Sequence, residues 1–250
     1  MQMKSKVAAA LFCSGLSLTG IALAGPADYV YTPIVEYGEK EIDFKHGSAR
    51  QNDGTFKQVT SLGLGYGATE AWFTEVYLKY EKTAGNSLTL AEWENKFQLT
   101  ETGRYAVDAG FIAEVEAPLN NGNEPYEFKF GPLFQTEYSK LQFNGNLLFK
   151  RKFGNRNDGD DSYVTEFGYQ WQAKYRWLPA FEYGLQGFGE MGEWNDWNSS
   201  SAQNHRLGPA LFGKAHLGEH QAVKYNAAWL FGASPAAPAH TVRVQAEYEF

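Results

Sequence analysis

The stretch Ser162–Trp177 limits what this chain can fold into more than any other. One register reads Tyr163, Thr165, Phe167, Tyr169, Trp171, Ala173, Tyr175 and Trp177. The other reads Ser162, Val164, Glu166, Gly168, Gln170, Gln172, Lys174 and Arg176. Successive side chains of a strand point to opposite faces, so the pattern predicts a β-strand with one apolar and one polar face. Its 16 residues reach about 50 Å at roughly 3.3 Å per residue. That length crosses a bilayer at a tilt and projects beyond it.

The amino terminus carries Lys4 and Lys6 and an apolar run from Val7 to Leu23, then Ala22-Leu23-Ala24 before Gly25. A basic start, a short apolar run and a small-x-small site are the marks of a secretory signal peptide. Ser14, Gly15 and Ser17 interrupt the run, which argues against an anchor helix. Cys13 lies inside it, too early for a lipoprotein site. Residues 1–24 are thus expected to be removed and 25–250 to form one domain. Loss of Lys4 and Lys6 leaves 20 basic against 29 acidic residues, a charge of −9. That charge disfavours nucleic acid as a partner. No later segment offers 18 apolar residues in a row, so helical spans are excluded. A chain that spans lipid without helices must close into a barrel, because open edges leave backbone groups unpaired.

The same alternation recurs along the chain and predicts an all-β, up-and-down antiparallel transmembrane barrel of about 12 strands. The first strand is expected at Tyr31–His46, with His46–Gly54 as a loop. A later one runs from Tyr105 to Val115, and Gly131-Pro132 is expected to disturb the end of the strand that begins at Tyr126. Turns near residues 68, 102, 137, 179 and 219 read as short, and the other connections as longer and polar. A soluble barrel would place the apolar register inward.

Two features favour the membrane reading. The chain ends Tyr248-Glu249-Phe250, similar to the signal by which bacterial outer-membrane barrels are recognised by their assembly machinery. Val35-Glu36-Tyr37-Gly38-Glu39-Lys40-Glu41-Ile42-Asp43-Phe44 and Gly65-Tyr66-Gly67-Ala68-Thr69-Glu70-Ala71-Trp72-Phe73-Thr74-Glu75 resemble the first strand and first periplasmic hairpin of the meta-pathway phenol-degradation family of outer-membrane proteins. The resemblance implies a bacterial outer-membrane barrel, in contact with lipid and lipopolysaccharide. It assigns no site residue and no substrate.

On the polar registers lie the candidate lumen residues Glu75, Lys79, Glu92, Glu94, Lys96, Glu114, Glu116, Lys150, Glu166, Lys174, Arg176, Glu182, Arg243 and Glu247, with Glu127 and Lys129 beside them. They fit either a polar passage that selects solutes or a plugged interior of cross-strand ion pairs. A passive pore for small molecules, aromatic ones among them, is the first reading; a plugged structural or binding barrel is the second. A membrane esterase would need Ser199, Ser200 or Ser201 beside His205. The histidines show no ligand spacing. Asp158, Asp160 and Asp161 could hold calcium or be a solvated loop. Gly63, Gly65 and Gly67 lack the helix a phosphate loop requires and read as small lumen or turn residues. No cofactor is implied. Trp194 and Trp197 suit either ligand stacking or an interface.

Overall fold

The computed structural model describes residues 25–121, 124–154, 164–219 and 221–250. The expected signal segment, Asp158, Asp160, Asp161 and His220 lie outside the described residues. The strands are β1 (Lys40–Arg50), β2 (Phe56–Thr69), β3 (Trp72–Thr83), β4 (Asn86–Gln98), β5 (Asp108–Pro118), β6 (Tyr126–Tyr138) and β7 (Leu141–Phe153). They continue as β8 (Thr165–Leu178), β9 (Phe181–Glu193), the two-residue β10 (Asp196–Trp197), β11 (Asn204–His216), β12 (Ala222–Gly232) and β13 (His240–Glu249). Twelve are long, and each pairs antiparallel with its neighbours in sequence. β1 pairs with β13, so the sheet closes on itself and leaves no edge. β10 is an extra strand that pairs with β9 inside the loop before β11.

The side-chain alternation is inverted relative to a soluble barrel. On β3, Phe73, Glu75 and Tyr77 are 3%, 2% and 4% exposed, while Val76, Leu78 and Tyr80 are 52%, 57% and 47% exposed. The apolar face looks out and the charged face looks in, which rules out the apolar-inward alternative. Outward rings form a band near the loop end: Phe111, Phe130, Phe149, Phe167 and Trp197 follow one another at centroid spacings of 6.4, 5.6, 5.3 and 6.0 Å. At the opposite end, which carries the carboxyl terminus, Tyr175–Tyr183, Trp177–Phe181 and Tyr248–Phe250 form a second set. Aromatic girdles of this kind flank the apolar band of membrane barrels. Trp197 joins the outer band and stacks on Phe167.

Three boundaries differ from expectation. The first strand is Lys40–Arg50, and Tyr31–Glu39 is not in the wall. Pro26 and Pro33 cannot donate to a ladder, and this segment bonds instead to side chains inside the barrel. β5 begins at Asp108 rather than Tyr105. Asp108 accepts a bond from the Gly103 amide at 2.8 Å and Thr100 from the Ala109 amide at 2.9 Å, which shapes the preceding connection as a fixed loop. Gly131-Pro132 does not end β6, which continues to Tyr138. A Cβ at Gly131 would overlap the Leu147 carbonyl, so its absence lets β7 approach where Pro132 lacks a donor.

Candidate functional site

The site is the barrel interior. Residues 25–39 cross it as an extended strap. Val30 packs into an apolar patch of Phe188, Ala210, Phe212, Ala228 and Leu230 on β9, β11 and β12. Tyr31 packs with Tyr29 on the other side, against Ile112, Leu133 and Leu148 of β5, β6 and β7. Neighbouring residues of an extended chain point in opposite directions, so Tyr29-Val30-Tyr31 bridges the lumen from wall to wall.

Polar contacts fix it there. The Tyr29 hydroxyl lies 3.0 Å from both oxygens of Glu94, and the Tyr31 hydroxyl donates to Glu114 at 3.0 Å. Thr32 donates to Gln135 at 3.0 Å, the Val35 amide donates to Gln98 at 2.8 Å, and Asn146 donates to the Tyr31 carbonyl at 3.2 Å. Arg243 donates to the Asp28 carbonyl and, at 2.7 Å, to Gln186. Gln186 begins a run of buried amides through Gln172, Asn144 and Gln135 at 2.9, 3.1 and 2.9 Å. Arg243→Ala should therefore lower stability by about 2–3 kcal/mol, because it leaves buried acceptors without donors. Denaturant titration of the folded barrel against Arg243→Lys checks this.

The strap leaves its wall contact at the glycine track of β2. The Gly38 amide donates to the Gly67 carbonyl and the Gly67 amide to the Glu39 carbonyl, both at 2.8 Å. A Cβ at Gly67 would overlap the Glu36 carbonyl oxygen. Gly67→Val should push the strap off its seat and expose Tyr29 and Tyr31 to limited chymotrypsin digestion, where the parent resists.

The other charged candidates pair across strands. Lys79 meets Glu92 at 2.7 Å and also Glu116, and Lys129 meets Glu114 at 2.8 Å. Lys150 lies 3.8 Å from Glu127 and 4.0 Å from Glu166. Lys174 and Arg176 reach Glu182 at 2.9 and 3.3 Å, and Arg176 also meets Glu137 at 2.9 Å. Lys224 joins Glu39 at 3.0 Å and Glu247 at 2.8 Å. Burial holds the Glu39 carboxyl up at about 7, against the downward pull of Lys224. Lys96 lies over the Phe73 ring at 4.9 Å. Glu75 is buried with no basic nitrogen within 4.0 Å among the described residues.

Sequence reading missed Tyr29, Tyr31, Lys45 and Tyr77. The Lys45 ammonium sits 3.7 Å from the Tyr29 ring centroid and 3.8 Å from that of Tyr77, and 3.1 Å from Asp43. Lys45 was hidden by the misplaced first strand. Tyr77 shares a register with Glu75 and Lys79, and that was its available signal. His205 places one ring nitrogen 3.0 Å from the Tyr169 hydroxyl and the other 2.8 Å from Gln203. Ser199 bonds Ser201 at 3.1 Å. Ser234 Oγ accepts from the His205 backbone amide at 2.9 Å; among the described residues no serine hydroxyl bonds the His205 ring, so the esterase arrangement is not assembled.

Two cavities flank the strap. One, of about 300 Å³, opens toward the loop end and is lined by Lys57, Glu81, Glu116, Lys150 and Glu166. The other, of about 510 Å³, opens toward the carboxyl-terminal end and is lined by Glu41, Glu75, Lys174, Arg176 and Glu247. Tyr29 and Tyr31 line both.

The fold is shared with outer-membrane porin barrels. An outer membrane channel from Pseudomonas putida F1 superposes with a TM-score of 0.59 at 12% identity, over 91% of this chain and all of that one (100%). The NanC porin gives 0.54 at 11% identity and the KdgM porin 0.53 at 7%, each over 84% of this chain and 98% of its own. No family model matches the chain, and no curated protein matches it in sequence.

Proposed function

We propose that this protein is a bacterial outer-membrane channel for small solutes whose passage is narrowed by its own amino-terminal strap. The observation that carries the reading is the pair of cavities, of about 300 and 510 Å³, that meet at Tyr29 and Tyr31. The charged interior supports it, because ion-pair networks around a polar lumen discriminate among solutes. The inverted alternation and the two aromatic bands support the outer membrane as the compartment. Within that reading, residues 1–24 are the export signal, the strand ending at Phe250 is what the assembly machinery recognises, and the outward belt contacts lipid and lipopolysaccharide.

The segment 35–44 and the β2–β3 hairpin support membership of the meta-pathway phenol-degradation family. The apolar lining around Val30 and Tyr31 suits small aromatic molecules, and Tyr31 stacked edge-on to Tyr29 at 4.7 Å offers them ring partners. Liposome swelling with sugars, amino acids and simple phenols tests the reading. Permeation by at least one class, above protein-free vesicles, is expected. Vesicles that stay sealed to every solute and to ions would leave the plugged barrel, which the buried packing of Tyr31 on Ile112 and Leu133 favours.

A further inference from the structure

We propose that the loop-end rim of β13, β1, β2 and β3 is a docking surface for a phosphorylated glycolipid of the outer leaflet. Strand parity exposes it. Among the described residues, the outward register of the twelve long strands carries Lys40, Arg50, Lys82 and Arg151 as its charged side chains, with no acid. Arg50 and Lys82 share one sector. Arg50 stands opposite His240 of β13 and Phe56 of β2, and Gln58 of β2 stands between Ser48 of β1 and Lys82 of β3. One row further from the rim, Thr60 stands between His46 and Tyr80.

This sector interrupts the ring belt. Phe130, Phe149 and Phe167 hold the loop end of β6 to β8, and Trp229 and Phe231 hold that of β12. From β13 to β3 the rim instead presents Arg50, Gln58, Lys82 and His240, all exposed. Below them, His46 Nδ1 lies 2.8 Å from Thr60 Oγ1. The two cations are uncompensated. Among the described residues, no carboxylate oxygen lies within 4.0 Å of Arg50 or Lys82, whereas Lys57 and Glu81 on the inward face of β2 and β3 pair at 3.3 Å. The connections at 51–55, 84–85 and 233–239 add one acid, Asp53. Its Oδ1 accepts from the Thr55 amide and hydroxyl at 2.9 and 2.7 Å.

Amides, hydroxyls and cations in a lipid-facing register need polar partners, because hydrocarbon offers none. At the rim the partner is a headgroup. Strand spacing and rise set Arg50 and Lys82 about 12 Å apart, two strands from one another. Two separated cations fit two separated anions, such as phosphoryl groups at the ends of a disaccharide. Arginine grips phosphate through a bidentate fork, and lysine as a point charge. Between them, Gln58, Ser48 and His46 offer donors and acceptors to sugar hydroxyls and amides. A phospholipid brings one phosphate and no sugar. The longer connections of outer-membrane barrels face the cell exterior, which puts this sector in the leaflet where such glycolipids reside.

The proposal rests on the outer-membrane location in the reading above, not on conduction. Folded barrel in detergent is titrated with bisphosphoryl lipid A and followed by native mass spectrometry. The parent is expected to bind lipid A saturably, and the Arg50→Gln/Lys82→Gln barrel at least tenfold more weakly. Arg151→Gln on β7, whose guanidinium donates to Thr165 at 3.0 Å, should match the parent. Lipid A stripped of its phosphates should bind the parent as weakly as intact lipid A binds the double variant. Heat-dependent gel mobility verifies folding, and Arg50→Lys/Lys82→Arg, which keeps both charges, should retain most of the affinity. Equal binding by the parent and the double variant overturns the proposal. So does phosphatidylglycerol that competes as well as lipid A, because the surface would then be an unselective anion binder. Cell fractionation reads the location separately. A chain recovered outside the outer membrane removes that reading and this one with it; a correctly located chain that fails the titration removes this one alone.

Discussion

Tyr29→Ala/Tyr31→Ala protein should conduct severalfold better than the parent in planar bilayers. These two phenols line both cavities and carry the strap's main contacts with the β3–β7 wall. Their loss removes the bonds to Glu94 and Glu114 and the packing on Ile112, Leu133 and Leu148. The free energy involved is large: emptying a buried aromatic site costs about 3–5 kcal/mol. The barrel should survive it, because the closed backbone ladder of twelve long strands does not pass through the strap. Heat-dependent gel mobility will show whether the wall is intact. Single-channel conductance unchanged from the parent, in folded protein, would mean that the strap does not set the resistance.

Leu78→Arg should destabilise the barrel by about 2–4 kcal/mol in lipid. Leu78 lies midway along β3, faces outward between Leu62 and Ala91, and is 57% exposed. In water an exposed leucine exchanged for arginine changes stability by only about ±0.5 kcal/mol. The difference between these figures identifies the medium around the barrel. Phe56→Arg, at the loop end of β2, serves as the depth control and should cost about 0–1 kcal/mol near the interface. Refolding titrations into phospholipid vesicles measure both. Similar small losses at the two positions would contradict a hydrocarbon surround.

Much of the wall was legible in one dimension because it obeys a local rule. The period-two alternation of β3, β4 and β8 follows from pleat geometry and a two-solvent environment. It needs no knowledge of what lies across the barrel. The same rule hid the strap. Tyr29, Tyr31, Pro33 and Val35 alternate as a strand would, and Tyr31–Glu39 reads as wall although it lies in the lumen. Its trace existed as violations elsewhere. Phe111-Ile112, Leu147-Leu148, Leu211-Phe212 and Trp229-Leu230 each set two apolar residues side by side on a strand. In each pair the second member is buried inward against strap residues or their cluster. A pair of this kind marks an apolar spot on an otherwise polar face, and apolar spots in a lumen require an occupant.

Site residues followed the same division. Glu75, Glu94, Glu114 and Arg243 could be named from their register alone. The partners of Glu94, Glu114 and Arg243 could not, because Tyr29, Tyr31, Asp28 and Gln186 lie 57 to 215 positions away along the chain. Lys45 and Asp43 were lost to an error of placement rather than chemistry.

The order of residues alone determined the class of fold: an antiparallel sheet whose greasy face is continuous and whose charged face is not. That is a property of neighbours two apart, and short-range geometry suffices to express it. Only the three-dimensional arrangement decided which segment fills the lumen and which wall side chains hold it there. Those facts depend on closure between β1 and β13 and on strand stagger, which bring distant positions together and which no local period encodes.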